Sequence, residues 1–204
     1  MKKPTILIAV LLSLLLLMAG CKAIPTPATT QPPAETDAVQ DTSAPAEKTV
    51  PERIPFGDFT AQDIDGAEFT QEMFADYDLT MINIWATFCG PCLNEMPDLG
   101  ELSAEYADQG LQIVGIIVDV MDRTGNISAS QVELAKEIVS QTGANYTHLL
   151  PSTDLIKIKL SQVTAVPETV FVDKNGDIVG KSISGSRSKT DWEAIIGAYL
   201  QEVR

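Results

Sequence analysis

The stretch WATFCGPC, residues 85–92, ends an apolar run and contains two of the three cysteines in the chain, Cys89 and Cys92. The run before it, LTMINIWAT, is short and continuously apolar, as is LQIVGIIVDV further along. Such runs are typical of strands that are covered on both faces of a sheet. Gly90 and Pro91 favour a tight turn and then a helix, because proline is well tolerated at the first helical position. The stretch therefore predicts a strand, a turn and a helix that begins at the cysteines.

The two cysteines could form a structural staple, half of a metal site, or a pair that opens and closes. Cys92 lies one helical turn after Cys89 on the same face, close enough for a disulfide. That bond would close a loop of four residues and remove little entropy from the unfolded chain, so it would stabilise the fold weakly. At a helix N-terminus, backbone N–H groups and the helix dipole stabilise a thiolate. Cys89 would lie at the exposed helix tip with Cys92 turned inward, which favours a redox pair.

A metal site is not expected. A structural zinc site needs four ligands, and beyond this cysteine pair the chain offers a single histidine, His148. We expect His148 to be a partly exposed strand residue instead.

Two turn signals predict hairpins. Asp65-Gly66 lies inside FTAQDIDGAEFT, and Asn175-Gly176 joins two strand patterns in TVFVDKNGDIVGKSI. Asp-Gly and Asn-Gly are the dipeptides that two-residue hairpin turns prefer. Between the strands, apolar residues recur at spacings of three and four, the period of a helix with one buried face. This order predicts an α/β domain over residues 56–204, with a central mixed sheet flanked by helices and an N-terminal hairpin.

Four helices are predicted from these patterns. The first follows the cysteines, the second begins at Ser128 or Ser130 with a capping box, and a short third covers residues 154–161. Thr190 and Glu193 are expected to cap the last. The residues expected on the buried faces are Leu93, Met96, Leu99, Leu102 and Tyr106 in the first helix, Leu134, Ala135, Ile138 and Val139 in the second, and Trp192, Ile195, Ile196, Tyr199 and Leu200 in the last.

The N-terminus predicts export. Two lysines precede an apolar stretch of 14 residues, 6–19, which falls short of the roughly 20 residues that span a bilayer. It ends in Met-Ala-Gly-Cys, which resembles the lipobox of bacterial lipoproteins. That resemblance implies that residues 1–20 are a signal peptide and that Cys21 is lipidated. Residues 21–55 contain seven prolines and few large apolar side chains, so we expect a disordered tether.

The chain is strongly acidic, with a formal net charge of -14. Phosphate and anionic lipid headgroups would repel such a surface. Nucleic acid is therefore excluded as a partner, and attachment to a membrane must come from the lipid.

WATFCGPC resembles the active site of the thioredoxin superfamily. With the lipobox, the tether and CGPCLNEMP, the chain resembles the membrane-anchored thiol-disulfide oxidoreductases of the TlpA/ResA type. The resemblance implies a thioredoxin-like fold and no cofactor. It also implies that Cys89 is the attacking thiolate, which forms a mixed disulfide with a client protein, and that Cys92 is the resolving thiol.

The resemblance also concerns one carboxylate. Cytosolic thioredoxins have a buried acid six positions before the first cysteine, where this chain has Asn83. TlpA/ResA-type proteins are similar to this chain in having that asparagine and a glutamate at the position of Glu95. Glu95 is then expected to be buried, with a raised pKa, and to take the proton of Cys92. The alternative is an ordinary glutamate near a helix N-terminus.

Four further residues are assigned to client binding. By the resemblance, Pro167 matches a cis proline that faces the cysteines and leaves the backbone of Val166 to pair with an extended client segment. Trp85 is expected mainly to pack in the core. Phe88 is expected either at the rim of the site or in contact with a partner.

Together these features predict a lipid-anchored oxidoreductase on the extracytoplasmic face of the bacterial cytoplasmic membrane, which reduces disulfides in client proteins. Gly-Pro between the cysteines matches reducing thioredoxins. The family implies apocytochrome c or a methionine sulfoxide reductase as client, and a membrane electron donor that resets the pair. The alternatives are a disulfide-forming oxidant, a thiol peroxidase, or a non-catalytic copper-binding or interaction module of the same fold.

Overall fold

A computed structural model describes residues 53–204. The predicted signal peptide, Cys21 and all but the last three residues of the predicted tether lie outside this range. Within it, no helix has the length and apolar character needed to cross a membrane. The elements in chain order are strands β1 (Thr60–Gln62), β2 (Glu68–Thr70) and β3 (Leu79–Trp85), helix α1 (Gly90–Tyr106), strand β4 (Leu111–Ile117), helix α2 (Ala129–Thr142), strand β5 (Thr147–Leu149), helix α3 (Thr153–Ile158), strands β6 (Glu168–Asp173) and β7 (Ile178–Ser184), and helix α4 (Lys189–Val203).

The central sheet has five strands in the order β5-β4-β3-β6-β7. β3 pairs in parallel with β4 and antiparallel with β6, so the sheet is mixed. β1 and β2 form a separate antiparallel pair, and β6 and β7 are joined as the second hairpin. The predicted mixed sheet, its flanking helices and the N-terminal hairpin are confirmed. β3 lies in the middle of the sheet and is buried along its whole length, which fixes the position of the cysteines that follow it.

The core lies on both faces of this sheet. Because side chains alternate along a strand, Met81 and Ile82 point to opposite faces. Ile82 packs in a cluster with the phenylalanines of the N-terminal segment, Phe56 and Phe59. Met81 packs in a second cluster with Trp192 of α4. A third cluster surrounds the cysteines at the C-terminal end of β3.

The start of α4 differs from the prediction. The N-cap residue is Ser188, whose Oγ accepts a hydrogen bond from the backbone N–H of Asp191 at 3.2 Å and donates one to its carboxylate at 2.7 Å. The predicted caps Thr190 and Glu193 are wrong, because both lie inside the helix. Ser188, two residues earlier than the predicted cap, instead satisfies an N–H group of the first turn, that of Asp191.

α2 and α3 also differ in detail. α2 does begin after Ser128, but that side chain makes no capping bond and lies 3.1 Å from Ser130 Oγ instead. Leu134, expected to be buried, is 40 % exposed. α3 ends at Ile158, before the predicted end at 161, and a 3-10 turn, Leu160–Gln162, follows it.

Residues 53–55, assigned to the tether by composition, lie against the β6-β7 hairpin. Arg53 forms an ion pair with Asp173 at 2.9 Å, and Pro55 forms a β-bridge with Asp177. Asp173 pairs with Leu79, the first residue of β3. The chain therefore enters the domain at the end of the sheet opposite the cysteines.

Candidate active site

Cys89 and Cys92 form a disulfide where β3 leads into α1, with 5.3 Å between their Cα atoms. Cys89 is the N-cap residue of α1, and its Sγ accepts a hydrogen bond from the backbone N–H of Cys92 at 3.2 Å. After reduction, this N–H group and the positive end of the helix dipole would stabilise a thiolate at Cys89. The helix predicted to begin at the cysteines is confirmed.

The two sulfurs differ in accessibility. Cys89 is 6 % exposed and Cys92 is completely buried. The expectation of an exposed helix tip is wrong in degree, because the carbonyl oxygen of Val166 lies 3.6 Å from Cys89 Sγ and covers it. Phe88, next to Cys89, is 77 % exposed. Of the two cysteines, only Cys89 retains solvent-exposed surface.

The segment that covers Cys89, residues 166–168, is held in place by an ion pair at its last residue. The Val166-Pro167 peptide bond is cis. Glu168 follows directly and forms an ion pair with Lys159, whose Nζ also donates to Ser182 Oγ at 3.2 Å. Both side chains of the ion pair are largely buried, and breaking a buried pair costs roughly 3–5 kcal/mol. The pair therefore fixes the backbone that faces the disulfide.

Glu95 is buried, with 2 % of its surface exposed, although it lies on α1 one turn after Cys92. Its Oε1 accepts a hydrogen bond from Asn83 Nδ2 at 3.0 Å, and its Oε2 accepts from Arg187 N at 3.1 Å and Trp192 Nε1 at 3.3 Å. Burial raises the pKa of the carboxyl group, and the hydrogen bonds oppose that rise in part. The carboxyl can thus exchange a proton closer to neutral pH than an exposed glutamate.

Trp85 and His148 form a buried hydrogen-bonded pair beside the cysteines. Trp85 Nε1 donates to His148 Nδ1 at 3.1 Å, so the ring proton is on Nε2, which lies 2.9 Å from the carbonyl oxygen of Ala144. Burial lowers the pKa of His148 to about 4. The expectation of a partly exposed His148 is wrong, because the first hairpin covers its strand: Ile64 N donates to the carbonyl oxygen of His148. Trp85 is fully buried, as expected.

No metal-binding group is found near this pair. Throughout residues 53–204, no three His, Cys, Asp or Glu side chains are placed to hold a metal ion. Both ring nitrogens of His148 already have partners within the protein.

The sequence analysis missed the contact between Asp119 and Thr87. The backbone N–H of Thr87 donates to both carboxylate oxygens of Asp119 at 3.0 Å, and Thr87 Oγ1 donates to one of them at 2.5 Å. Asp119 thereby holds the turn that leads to Cys89. A signal existed, because β3 and β4 are parallel neighbours, so residues that lie two positions after each strand share one edge of the sheet.

Comparison with known proteins places this site in a family. The family model described as the AhpC/TSA family matches residues 52–181. The chain belongs to the AhpC/TSA family. Among its relatives is the thiol-disulfide oxidoreductase ResA of Geobacillus thermodenitrificans, 28% identical over 149 residues that cover 72% of this chain and 75% of the relative. ResA of Bacillus thuringiensis subsp. konkukian is 25% identical over 145 residues, 71% of this chain and 74% of the relative.

A solved structure agrees with this AhpC/TSA assignment. The thiol:disulfide interchange protein of the thioredoxin family from Chlorobium tepidum is 26% identical, has a TM-score of 0.61, and is matched over 72% of this chain and 97% of its own. The resemblance to ResA-type proteins and the thioredoxin-like fold are confirmed. With its Cys89-Cys92 pair, the chain is a thiol-disulfide oxidoreductase.

Proposed function

We propose that this enzyme reduces disulfides in client proteins on the extracytoplasmic face of the bacterial cytoplasmic membrane. The observation that carries the proposal is the contrast within the pair: Cys89 is the N-cap of α1 and partly accessible, whereas Cys92 is buried one turn before a buried Glu95. An accessible sulfur and a protected partner suit a two-step thiol exchange, and a carboxyl one helical turn further on can take the proton of the second thiol.

The exchange begins with the dithiol form. The Cys89 thiolate attacks one sulfur of the client disulfide; a Cys89-client disulfide forms, the client bond breaks, and the other client sulfur leaves as a thiolate that takes a proton. Cys92 then loses its proton and attacks Cys89 Sγ, which releases the second client thiol. Two electrons pass to the client, and the enzyme is left with the Cys89-Cys92 disulfide.

We assign the proton of Cys92 to Glu95. The carboxyl is one helical turn from Cys92 and has a raised pKa because it is buried. A carboxylate that is short of water gains more from accepting a proton than an exposed one does. Glu95 would therefore take this proton as Cys92 attacks.

The client is held beside Cys89 by the cis-proline segment and by Phe88. The backbone of Val166, which lies next to Cys89 Sγ, would pair with an extended client segment in front of Pro167. The exposed ring of Phe88, the residue before Cys89, offers the client an apolar contact. Trp85 contributes by packing beneath the site.

The proposed place of action rests on the N-terminal sequence, and the proposed partners rest on the resemblance to TlpA/ResA-type proteins. We propose a signal peptide over residues 1–20, a lipid on Cys21, a tether to residue 55 and the thioredoxin-like domain from residue 56. A membrane electron donor would return the pair to the dithiol, and apocytochrome c or a methionine sulfoxide reductase would be the client.

The direction of electron flow is tested by the reduction potential of the Cys89/Cys92 pair. We expect a value in the range of thioredoxin, about -270 mV, rather than that of a strong oxidant, about -120 mV. The full chain should also accelerate the reduction of insulin disulfides by dithiothreitol, and a Cys89→Ser variant should not. A potential near the oxidant value would support the disulfide-forming alternative instead. Rapid oxidation of the dithiol by hydrogen peroxide, faster than by insulin, would support the peroxidase.

A further inference from the structure

The carboxyl group of Glu95 accepts three hydrogen bonds, and the three donors differ in kind. Its Oε2 accepts from the backbone N–H of Arg187 and from Trp192 Nε1, and its Oε1 accepts from Asn83 Nδ2 at 3.0 Å. A backbone N–H and an indole N–H can only donate, whereas a side-chain amide has a donor and an acceptor at its two ends. Of these three partners, only Asn83 can therefore bond either form of the carboxyl group.

This difference decides which oxygen of Glu95 can carry a proton. A proton on Oε2 would point at two groups that already donate to that oxygen. A proton on Oε1 faces Asn83, and it finds an acceptor there if the amide rotates by half a turn and exchanges Nδ2 for Oδ1. A buried polar group without a partner is costly. The neutral acid therefore favours a proton on Oε1 together with this rotation.

The surroundings of Asn83 suit both orientations of the amide. Its Nδ2 also donates to Thr169 Oγ1 of β6 at 3.2 Å, and a hydroxyl can instead donate to an oxygen in the same place. The side chain is buried, and its Oδ1 has no hydrogen-bond partner within residues 53–204. The observed orientation thus serves the carboxylate and leaves unused the acceptor that the neutral acid needs.

A second hydroxyl lies on the same face of the sheet. Asn83 pairs with Gly115 of β4, which pairs with His148 of β5, and a Cβ at Gly115 would lie 2.2 Å from His148 Nδ1. Tyr146 stacks on the His148 ring with 4.5 Å between centroids, and its buried Oη also has no partner in the described part of the chain. Burial raises the pKa of Tyr146, and the charge of Glu95 adds to that rise. This hydroxyl therefore lies on the Glu95 side of the sheet.

We propose that Asn83 is a positioning residue whose side-chain amide inverts each time Glu95 gains or loses a proton. Cys92 gives its proton to Glu95 Oε1 as its sulfur attacks Cys89 Sγ. The amide turns, the new O–H donates to Asn83 Oδ1, and Thr169 Oγ1 changes from acceptor to donor. When the proton leaves Glu95, the amide returns. The inference deepens the proposed function and rests on it, because Glu95 must take the proton of Cys92.

Nuclear magnetic resonance on the oxidised full chain with Cys21→Ser tests the inversion, since this protein has no free thiol that titrates. The Cδ chemical shift of Glu95 reports its protonation. Nuclear Overhauser effects from the Nδ2 protons of Asn83 to the side chain of Thr169 report the orientation of the amide. This contact should be present above the Glu95 midpoint and lost below it, with the same midpoint, because Oδ1 then faces Thr169.

Other groups near Glu95 do not produce this change. The charged and titratable groups that face it from other elements are Tyr146 and Arg187, and both keep their protons from neutral to acid pH. His148, whose pKa is about 4, is followed in the same spectra. The amide of Asn175, which also donates to a carboxylate, is the control and should keep its orientation through the Glu95 midpoint.

The variant Glu95→Gln should hold the amide in the inverted orientation. The glutamine oxygen must face the donors Arg187 N and Trp192 Nε1, so its Nε2 faces Asn83 and requires Oδ1 there. The contact between Asn83 Nδ2 and Thr169 should then be absent at every pH.

The outcomes separate the two proposals. A contact between Asn83 Nδ2 and Thr169 that persists while Glu95 is protonated, or that persists in Glu95→Gln, would overturn the inversion and leave the reductase standing. A Glu95 carboxyl that stays charged down to its ordinary pKa of 4.5 would overturn the proposed proton transfer and the inversion with it.

Discussion

At the scale of single residues, the site depends on groups that water would normally solvate. Glu95 is buried, and three N–H groups from β3, from the β7-α4 connection and from α4 bind its carboxylate. Such donors favour the charged carboxylate, whereas burial favours the neutral acid. The two effects compete, and burial is the larger of them. A group poised in this way can accept and return a proton within one catalytic cycle.

The first prediction concerns Glu95→Gln. The resolving attack by Cys92 should slow by about 100-fold or more where proton transfer limits the rate. In the wild type, the rate should fall as the pH decreases through the pKa of Glu95, which lies above the ordinary value of 4.5. The variant should not show this decrease. Stopped-flow measurement of client release from the mixed disulfide gives both. Glu101→Gln, an exposed carboxyl on the same helix, is the matched control. An unchanged rate and pH profile in Glu95→Gln would show that Glu95 has no part in proton transfer.

The second prediction concerns His148 and acid stability. The pKa is about 4 in the folded protein and 6.5 when unperturbed, so on acidification the unfolded chain binds the proton first. The stabilisation is complete above pH 6.5 and is lost as the pH falls from 6.5 towards 4. From pH 7.5 to 5 this amounts to about 2 kcal/mol of unfolding free energy.

Urea unfolding of the oxidised protein at the two pH values measures this loss. The raised pKa of Glu95 acts in the opposite direction, so the relevant quantity is the difference between wild type and His148→Gln. The wild type should lose about 2 kcal/mol more than the variant. An identical loss in both would contradict a neutral, buried His148.

At the scale of elements, the sequence predicted what depends on neighbours in the chain. β3 and α1 were predicted correctly because continuous apolar runs and three-four spacing reflect burial directly. The contact of Asp119 with Thr87 joins residues 32 positions apart; the order of strands places both residues at one edge of the sheet, but no local pattern pairs them. The burial of His148 similarly depends on the first hairpin. Glu95 was identified only through a resemblance, since a glutamate in the first turns of a helix is ordinary by itself.

The third prediction compares two mid-helix glycines. A Cβ atom at Gly100 of α1 would lie 2.3 Å from the backbone oxygen of Gly143 at the end of α2, whereas a Cβ at Gly197 of α4 would have no neighbour within 4 Å. Gly197→Ala should stabilise the protein by up to about 1 kcal/mol through helix propensity. Gly100→Ala should destabilise it by roughly 1–3 kcal/mol, because the helices must separate. Thermal unfolding measures both, and equal shifts of the same sign would contradict the close approach of α1 to α2.

At the scale of the whole molecule, charge and attachment act together. A net charge of -14 gives no attraction to anionic headgroups. The membrane association that we propose must therefore come from the lipid on Cys21. One acyl chain alone binds reversibly, and stable attachment needs more than one.

The fourth prediction follows from this dependence. Cys21→Ser should move the protein from the membrane fraction to the soluble fraction, while insulin reduction by the released protein stays unchanged. Fractionation followed by immunoblotting measures the distribution. A Glu35→Gln variant, which changes a neighbouring charge but not the lipid site, is the control. Retention of Cys21→Ser in the membrane fraction would contradict lipidation at Cys21.

The entry of the chain beside Asp173, at the end of the sheet away from the cysteines, gives the enzyme a polarity. Seven residues of β3 separate the two ends, a distance of about 20 Å. In the lipid-anchored form that we propose, the catalytic pole would lie on the side of the domain away from the attachment point, towards arriving clients. The membrane electron donor that we propose would then face the opposite pole, so reduction of the Cys89-Cys92 disulfide would require the domain to rotate. In this proposal the freedom to rotate would come from residues 22–52 of the predicted tether, which as a coil would span about 30 Å. Shortening these residues should therefore slow the reduction of the Cys89-Cys92 disulfide by the donor and leave the rate of client reduction unchanged.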